Sequence, residues 1–95
     1  MFIVSPEVRE KLKVKHGVTE VQIMQCFANR EGPALIDDRE EHKTNPVTRW
    51  FIAQTDYGII LKVCYMIDPV SKTIDIKTAF RPSQDAIDFY NRNAY

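Results

Sequence analysis

The chain has 95 residues, 44% hydrophobic and 27% charged, with 13 basic and 13 acidic side chains. A domain of this length buries only about 60–65% of its unfolded surface, so one small core is the ceiling. Balanced charge argues against non-specific duplex binding, which needs a basic excess; it leaves a local cationic patch open and suits a chain that works with a partner.

Met1–Val4 reads as a short edge strand or a tail. Ser5-Pro6-Glu7 predicts a helix start: the serine oxygen accepts an unpaired N–H, proline at the first position loses nothing, and glutamate suits the positive end. Val8 and Leu12 share a face, and the helix stops at Gly17 after the basic turn Lys13, Lys15, His16. Thr19 and Gln22 have capping-box spacing for a second helix, with Val18 and Ile23 as its hydrophobic staple. Val21, Met24, Phe27 and Ala28 keep helical period, and the helix ends between Asn29 and Gly32.

Strand signals then dominate. Ala34–Asp37 is a short strand, and Asp38–Pro46 a polar loop closed by Asn-Pro. Val47–Thr55 is rich in β-formers and ends in the turn Asp56-Tyr57-Gly58. Ile59–Ile67 is apolar on both faces and reads as the central strand. After a turn at Asp68–Lys72, Thr73–Phe80 alternates, with Ile74, Ile76 and Phe80 on one face and Asp75 and Lys77 on the other. Pro82 blocks continuation, Ser83 caps a last helix, and Ala86, Phe89 and Tyr90 form its buried stripe. The expected fold is a single α+β domain over residues 1–95: two N-terminal helices, a four-stranded, mainly antiparallel meander, and a C-terminal helix.

Three glycines leave no phosphate-cradling loop, and His16 and His42 sit in no ligand motif, so neither metal nor cofactor is expected. Cys26 and Cys64 read as small buried thiols, with one disulfide as the other reading. The first five residues are too short for a signal sequence, and Ile59–Ile67 is too short to span a bilayer. A cytoplasmic chain without a membrane segment is expected.

Polar residues at element ends carry what chemistry there is. His16 either complements the helix dipole or moves protons near neutrality. Asp37-Asp38-Arg39-Glu40-Glu41 is a solvated loop, or carboxylates that position a water or cation. Lys77 and Arg81, with Lys62 on the neighbouring strand, form either ordinary strand charges or a phosphate-binding face. Trp50 beside Arg49 is core, or a stacking platform if exposed. Tyr90 is core, or presents its hydroxyl to a groove.

In order, these pieces resemble the BrnT-type toxin family of the RelE-like toxin superfamily over roughly residues 6–92. The residues that carry the resemblance are Lys15-His16-Gly17-Val18, the following helix through Phe27, Asp38-Arg39-Glu40, and Arg49 at a strand start. Gly58-Ile59-Ile60-Leu61 after a turn, Thr78-Ala79-Phe80-Arg81, and a last helix with Tyr90 complete the set. The resemblance implies a RelE-like fold and an endoribonuclease that cleaves mRNA and blocks translation, the toxin of a type II toxin-antitoxin pair. RNA would be its substrate and a cognate antitoxin protein its partner, with homodimerisation a further expectation. Its implied catalytic residues are His16, Glu40, Lys77, Arg81 and Tyr90, and its substrate-binding residues Asp38, Arg39, Arg49 and Lys62. Lys77 and Arg81 would polarise the scissile phosphate, His16 or Glu40 would move protons, and Tyr90 would orient the substrate. Two other readings stand beside it: a non-catalytic protein-interaction module on the same fold, and a hydrolase using Asp37–Glu41 on a nucleotide or ADP-ribose linkage.

Overall fold

Local hydrogen bonds decide where the helices begin. The computed structural model describes residues 1–39 and 44–95. Ser5 Oγ accepts from the Val8 amide at 3.2 Å and opens α1 (Pro6–Lys11). The helix widens into a π turn over Leu12–His16, which Gly17 ends at φ +63°, a conformation that costs glycine nothing. Thr19 and Gln22 form the reciprocal capping box of α2 (Glu20–Asn29), at 3.2 and 3.0 Å. Ser83 Oγ accepts from Ala86 N–H at 3.2 Å and starts α3 (Gln84–Ala94). Thr19→Ala removes one arm of the capping box and leaves an amide unpaired. The expected loss is about 1 kcal/mol in denaturant unfolding, with an unchanged slope.

Among the described residues five strands form one mixed sheet: β1 (Phe2–Ile3), β2 (Leu35–Ile36), β3 (Arg49–Gln54), β4 (Ile60–Ile67) and β5 (Ile74–Phe80), in the order β1-β5-β4-β3-β2. The last four pair antiparallel, as the short turns require, while β1 adds a parallel edge strand against β5. The expected four-stranded meander is therefore corrected to a five-stranded mixed sheet. The chain enters at the β5 edge, and the first two helices carry it across one face to the β2 edge. The meander then returns. Among the described residues no helix is long and apolar enough to cross a membrane.

The face under the first two helices is the main core. Phe51, Leu61, Val63, Tyr65, Ile76 and Ala79 point into it, all at most 4% exposed. Phe27 of α2 lies 4.8 Å from Phe51 and 5.2 Å from Tyr65, edge to face in both cases. Cys26 is fully buried beneath α2, and burial pushes its thiol up to about 11.

Two expectations about the sheet change. Cys64 pairs with Thr78 but Tyr65 pairs with Ile76, so Lys77 is the extra residue of a β-bulge. The bulge breaks the alternation: Ala79 joins Ile76 in the core, and Phe80 swings to the other face, opposite Lys62. β4 is also not covered on both sides. Among the described residues α3 roofs the second face chiefly over β2 and β3, and Ile60, Lys62, Cys64 and Met66 of β4 are partly open.

Candidate nucleic-acid interface

The partly open face gathers side chains from six segments. Lys62 stands at its centre, on the middle strand. Its Nζ lies 4.4 Å from the Trp50 ring centroid and 5.8 Å from that of Phe80, within cation–π range of both. Trp50 is only 8% exposed: Phe89 of α3 stacks on it at 6.1 Å and Tyr90 packs at 5.6 Å. It is thus a fixed base for the ammonium, not a free platform. The accessible rings are Phe80, half-buried, and Phe89, 48% exposed.

His16 reaches this face from the end of the π turn. Its ring centroid is 5.5 Å from that of Phe80. Desolvation first, then the charges of Lys15 and Lys11, hold its imidazole below the usual 6.5. It is therefore neutral at pH 7 and able to accept a proton. The folded chain disfavours imidazolium, so this group's contribution to stability is full above pH 6.5 and is lost as pH falls through and below it. A proton NMR titration is expected to place the His16 midpoint below 6.5, and Lys15→Ala is expected to move it upward.

Beyond β2 the chain supplies a second cation. Arg39 binds Asp37 through two parallel bonds, Nε to Oδ1 and Nη2 to Oδ2, both 3.0 Å. The Asp37 side chain is only 13% exposed, so its carboxylate serves to fix the arginine. Asp38, Arg39, Trp50, Lys62 and Phe89 line one cavity of about 240 Å³ between this segment, the sheet and α3. Two more groups lie on the open face, opposite each other: Cys64, whose thiol burial pushes up, and Thr78, whose buried hydroxyl has no hydrogen-bond partner among the described residues.

Of the residues expected at a site, His16, Asp38, Arg39 and Lys62 gather around this face. Lys77 is exposed in the bulge, and Arg81 is exposed just past the end of β5. Arg49 is half-buried, and strand alternation sets it on the face opposite Trp50. Tyr90 is 1% exposed and donates its hydroxyl to the Pro33 carbonyl at 2.9 Å; burial, then Tyr95, pushes its pKa up. Gly32 lies beneath it, where a Cβ would meet the Tyr90 hydroxyl at 2.8 Å. Glu40 lies outside the described residues, as do Glu41 and His42. Among the described residues no three His, Cys, Asp or Glu side chains cluster to hold a metal ion.

Phe80 is an addition that residue-by-residue reading missed, while Asp37, read only as part of the acidic loop, proves to anchor Arg39. Phe80 had looked like core because nothing in Thr73–Phe80 signals the bulge. Asp37-x-Arg39 is a legible spacing for an ion pair, though not for its bidentate geometry. No protein-family model matches the chain, and no curated protein is significantly similar to it.

Proposed function

We propose that the chain is a single-strand-specific endoribonuclease of the RelE-like kind, with BrnT-type members as its model, acting as the toxin of a toxin-antitoxin pair. The observation that carries the proposal is the fixed cation at the centre of the open sheet face: Lys62 between Trp50 and Phe80, with His16 against Phe80. Single-stranded RNA is bound where cations meet its phosphates and accessible rings stack on its bases. The face offers both, and the roof of α3 leaves room for a strand to pass over β4 and β5.

The chemistry follows from these groups. The ribose 2′-hydroxyl attacks the adjacent phosphorus, and His16 takes its proton. Charge that builds on the phosphoryl oxygens is met by Lys62, with Arg39 beside the same cavity. The P–O5′ bond breaks, leaving a 2′,3′-cyclic phosphate, and the departing 5′-oxygen takes a proton from solvent. Lys77 and Arg81 bind flanking phosphates in this reading, and Tyr90 shapes the cavity from within the core.

Induced expression, following growth and full-length mRNA, tests it. Wild type is expected to arrest growth with loss of mRNA, Lys62→Ala to abolish both, and Lys77→Ala/Arg81→Ala to weaken them. Well-expressed, folded wild type that leaves growth and mRNA untouched would sink the proposal.

One observation favours the second reading, a non-catalytic interaction module. Val21 and Met24, one turn apart on the outer side of α2, are 62% and 53% exposed. They are the start of an apolar docking surface. In the toxin reading the same surface is available to the antitoxin.

A further inference from the structure

A second, larger cavity of about 710 Å³ lies on the same sheet face, on the other side of α3 from the first. It begins next to Lys62: Ile52, part of its lining, pairs directly with Lys62 across the strands, and Ile60 precedes Lys62 by one alternation on β4. Ile87 of α3 adds a third aliphatic surface, and Tyr95 an aromatic one, set edge-on to Tyr90 at 6.0 Å and 84°.

The polar part of the lining is rich in acceptors and is held in place. Asn29 Nδ2 donates to the Gln54 carbonyl at 3.0 Å and to Asp56 Oδ1 at 2.9 Å, and the Asp56 amide donates to Gln25 Oε1 at 3.1 Å. This network fixes Asp56 and engages one of its two carboxylate oxygens. Glu31, on the same lining, forms no hydrogen bond or ion pair among the described residues. The cavity thus offers aliphatic surface and one accessible ring, Tyr95, on which a base can stack, next to carboxylates that can only accept hydrogen bonds.

We propose that this cavity is a base pocket that selects guanine from an RNA strand whose phosphate sits at Lys62; the inference rests on the RNA-directed reading above. The selectivity follows from the edges of the four bases. Guanine presents two adjacent donors, N1–H and the N2 amino group, which match the two oxygens of one carboxylate. Adenine and cytosine set a donor beside an acceptor, and uracil sets its one N–H between two carbonyls. Each of those three would place a lone pair against the carboxylate. Glu31 and Asp56 are both exposed, so the discrimination comes from the match of donors to carboxylate oxygens and from the repulsion of an opposed lone pair.

The test is fluorescence anisotropy with labelled pentanucleotides, uridine at every position except a central G, A, C, U or inosine. Guanine is expected to bind at least about 10-fold more tightly than the other three standard bases. Inosine, which lacks the N2 amino group, should fall between. Glu31→Gln replaces an acceptor with a donor; it should cut the guanine preference several-fold, weakening the guanine strand and relieving the lone-pair clash that holds back the all-uridine strand. Asp56→Asn is expected to act in the same direction. Equal binding of all five strands would overturn the guanine pocket and leave RNA recognition standing. Failure of every strand to bind would instead overturn the RNA-directed reading itself.

Discussion

Lys62→Ala is expected to weaken binding of a short single-stranded RNA by about 10- to 100-fold, the cost of one charge-assisted contact to phosphate. The effect should be this large because the ammonium is pre-positioned. Two rings hold it over the middle of the sheet, so little side-chain freedom remains to be lost when a phosphate arrives. Lys77→Ala and Arg81→Ala remove exposed cations that no ring holds in place among the described residues; each is expected to cost only a few-fold and to lower the salt slope by about one ion. Lys62→Met separates charge from packing, since it keeps an apolar stem against Trp50. It should bind RNA as poorly as the alanine variant while unfolding at the wild-type denaturant midpoint.

Phe51→Ala is expected to have the largest effect on stability. The ring is fully buried and meets Phe27 at 4.8 Å and Tyr65 at 6.0 Å, and the Arg30 guanidinium lies 5.4 Å from its centroid. Truncation removes the residue that joins α2 to the middle of the sheet. The expected cost is about 3–5 kcal/mol, against total stabilities of about 5–15 kcal/mol for domains of this kind. Guanidinium unfolding monitored by circular dichroism should show a much lower midpoint with a similar slope. Phe89→Ala, at a half-exposed ring on the roof of the second face, should cost far less. If the two variants cost the same, the core does not lie where the first two helices meet the sheet.

The helices were legible because their signals are local. Ser5, Thr19 and Ser83 each bond an amide three residues away, and Gly17 ends the first helical segment by its own backbone. Strand positions were legible to within a residue or two, since β-forming runs alternate with polar turns. Sheet organisation was less so. The pairing of Phe2–Ile3 with Ile74–Asp75 spans most of the chain, and two residues carry too little pattern to announce it. The bulge at Lys77 was hidden because both the straight and the bulged readings of Thr73–Phe80 look amphipathic. That one residue decides the site: it turns Phe80 from the core to the open face, where it meets Lys62 and His16. The half-roof of α3 was hidden for a related reason. Ala86, Phe89 and Tyr90 show that the helix buries a stripe, but not how much of the sheet it covers. An apolar strand such as Ile60–Ile67 looks doubly covered until the roof is placed.

The most direct measurement of the central claim is an NMR titration of the ¹⁵N-labelled chain with a short single-stranded RNA at low salt. The account predicts amide shifts concentrated at Lys62, Cys64, Thr78 and Phe80 and at His16, with Val21 and Met24 on the outer side of α2 unmoved. Shifts confined to α2 around Val21 and Met24, or none at any RNA concentration, would contradict it.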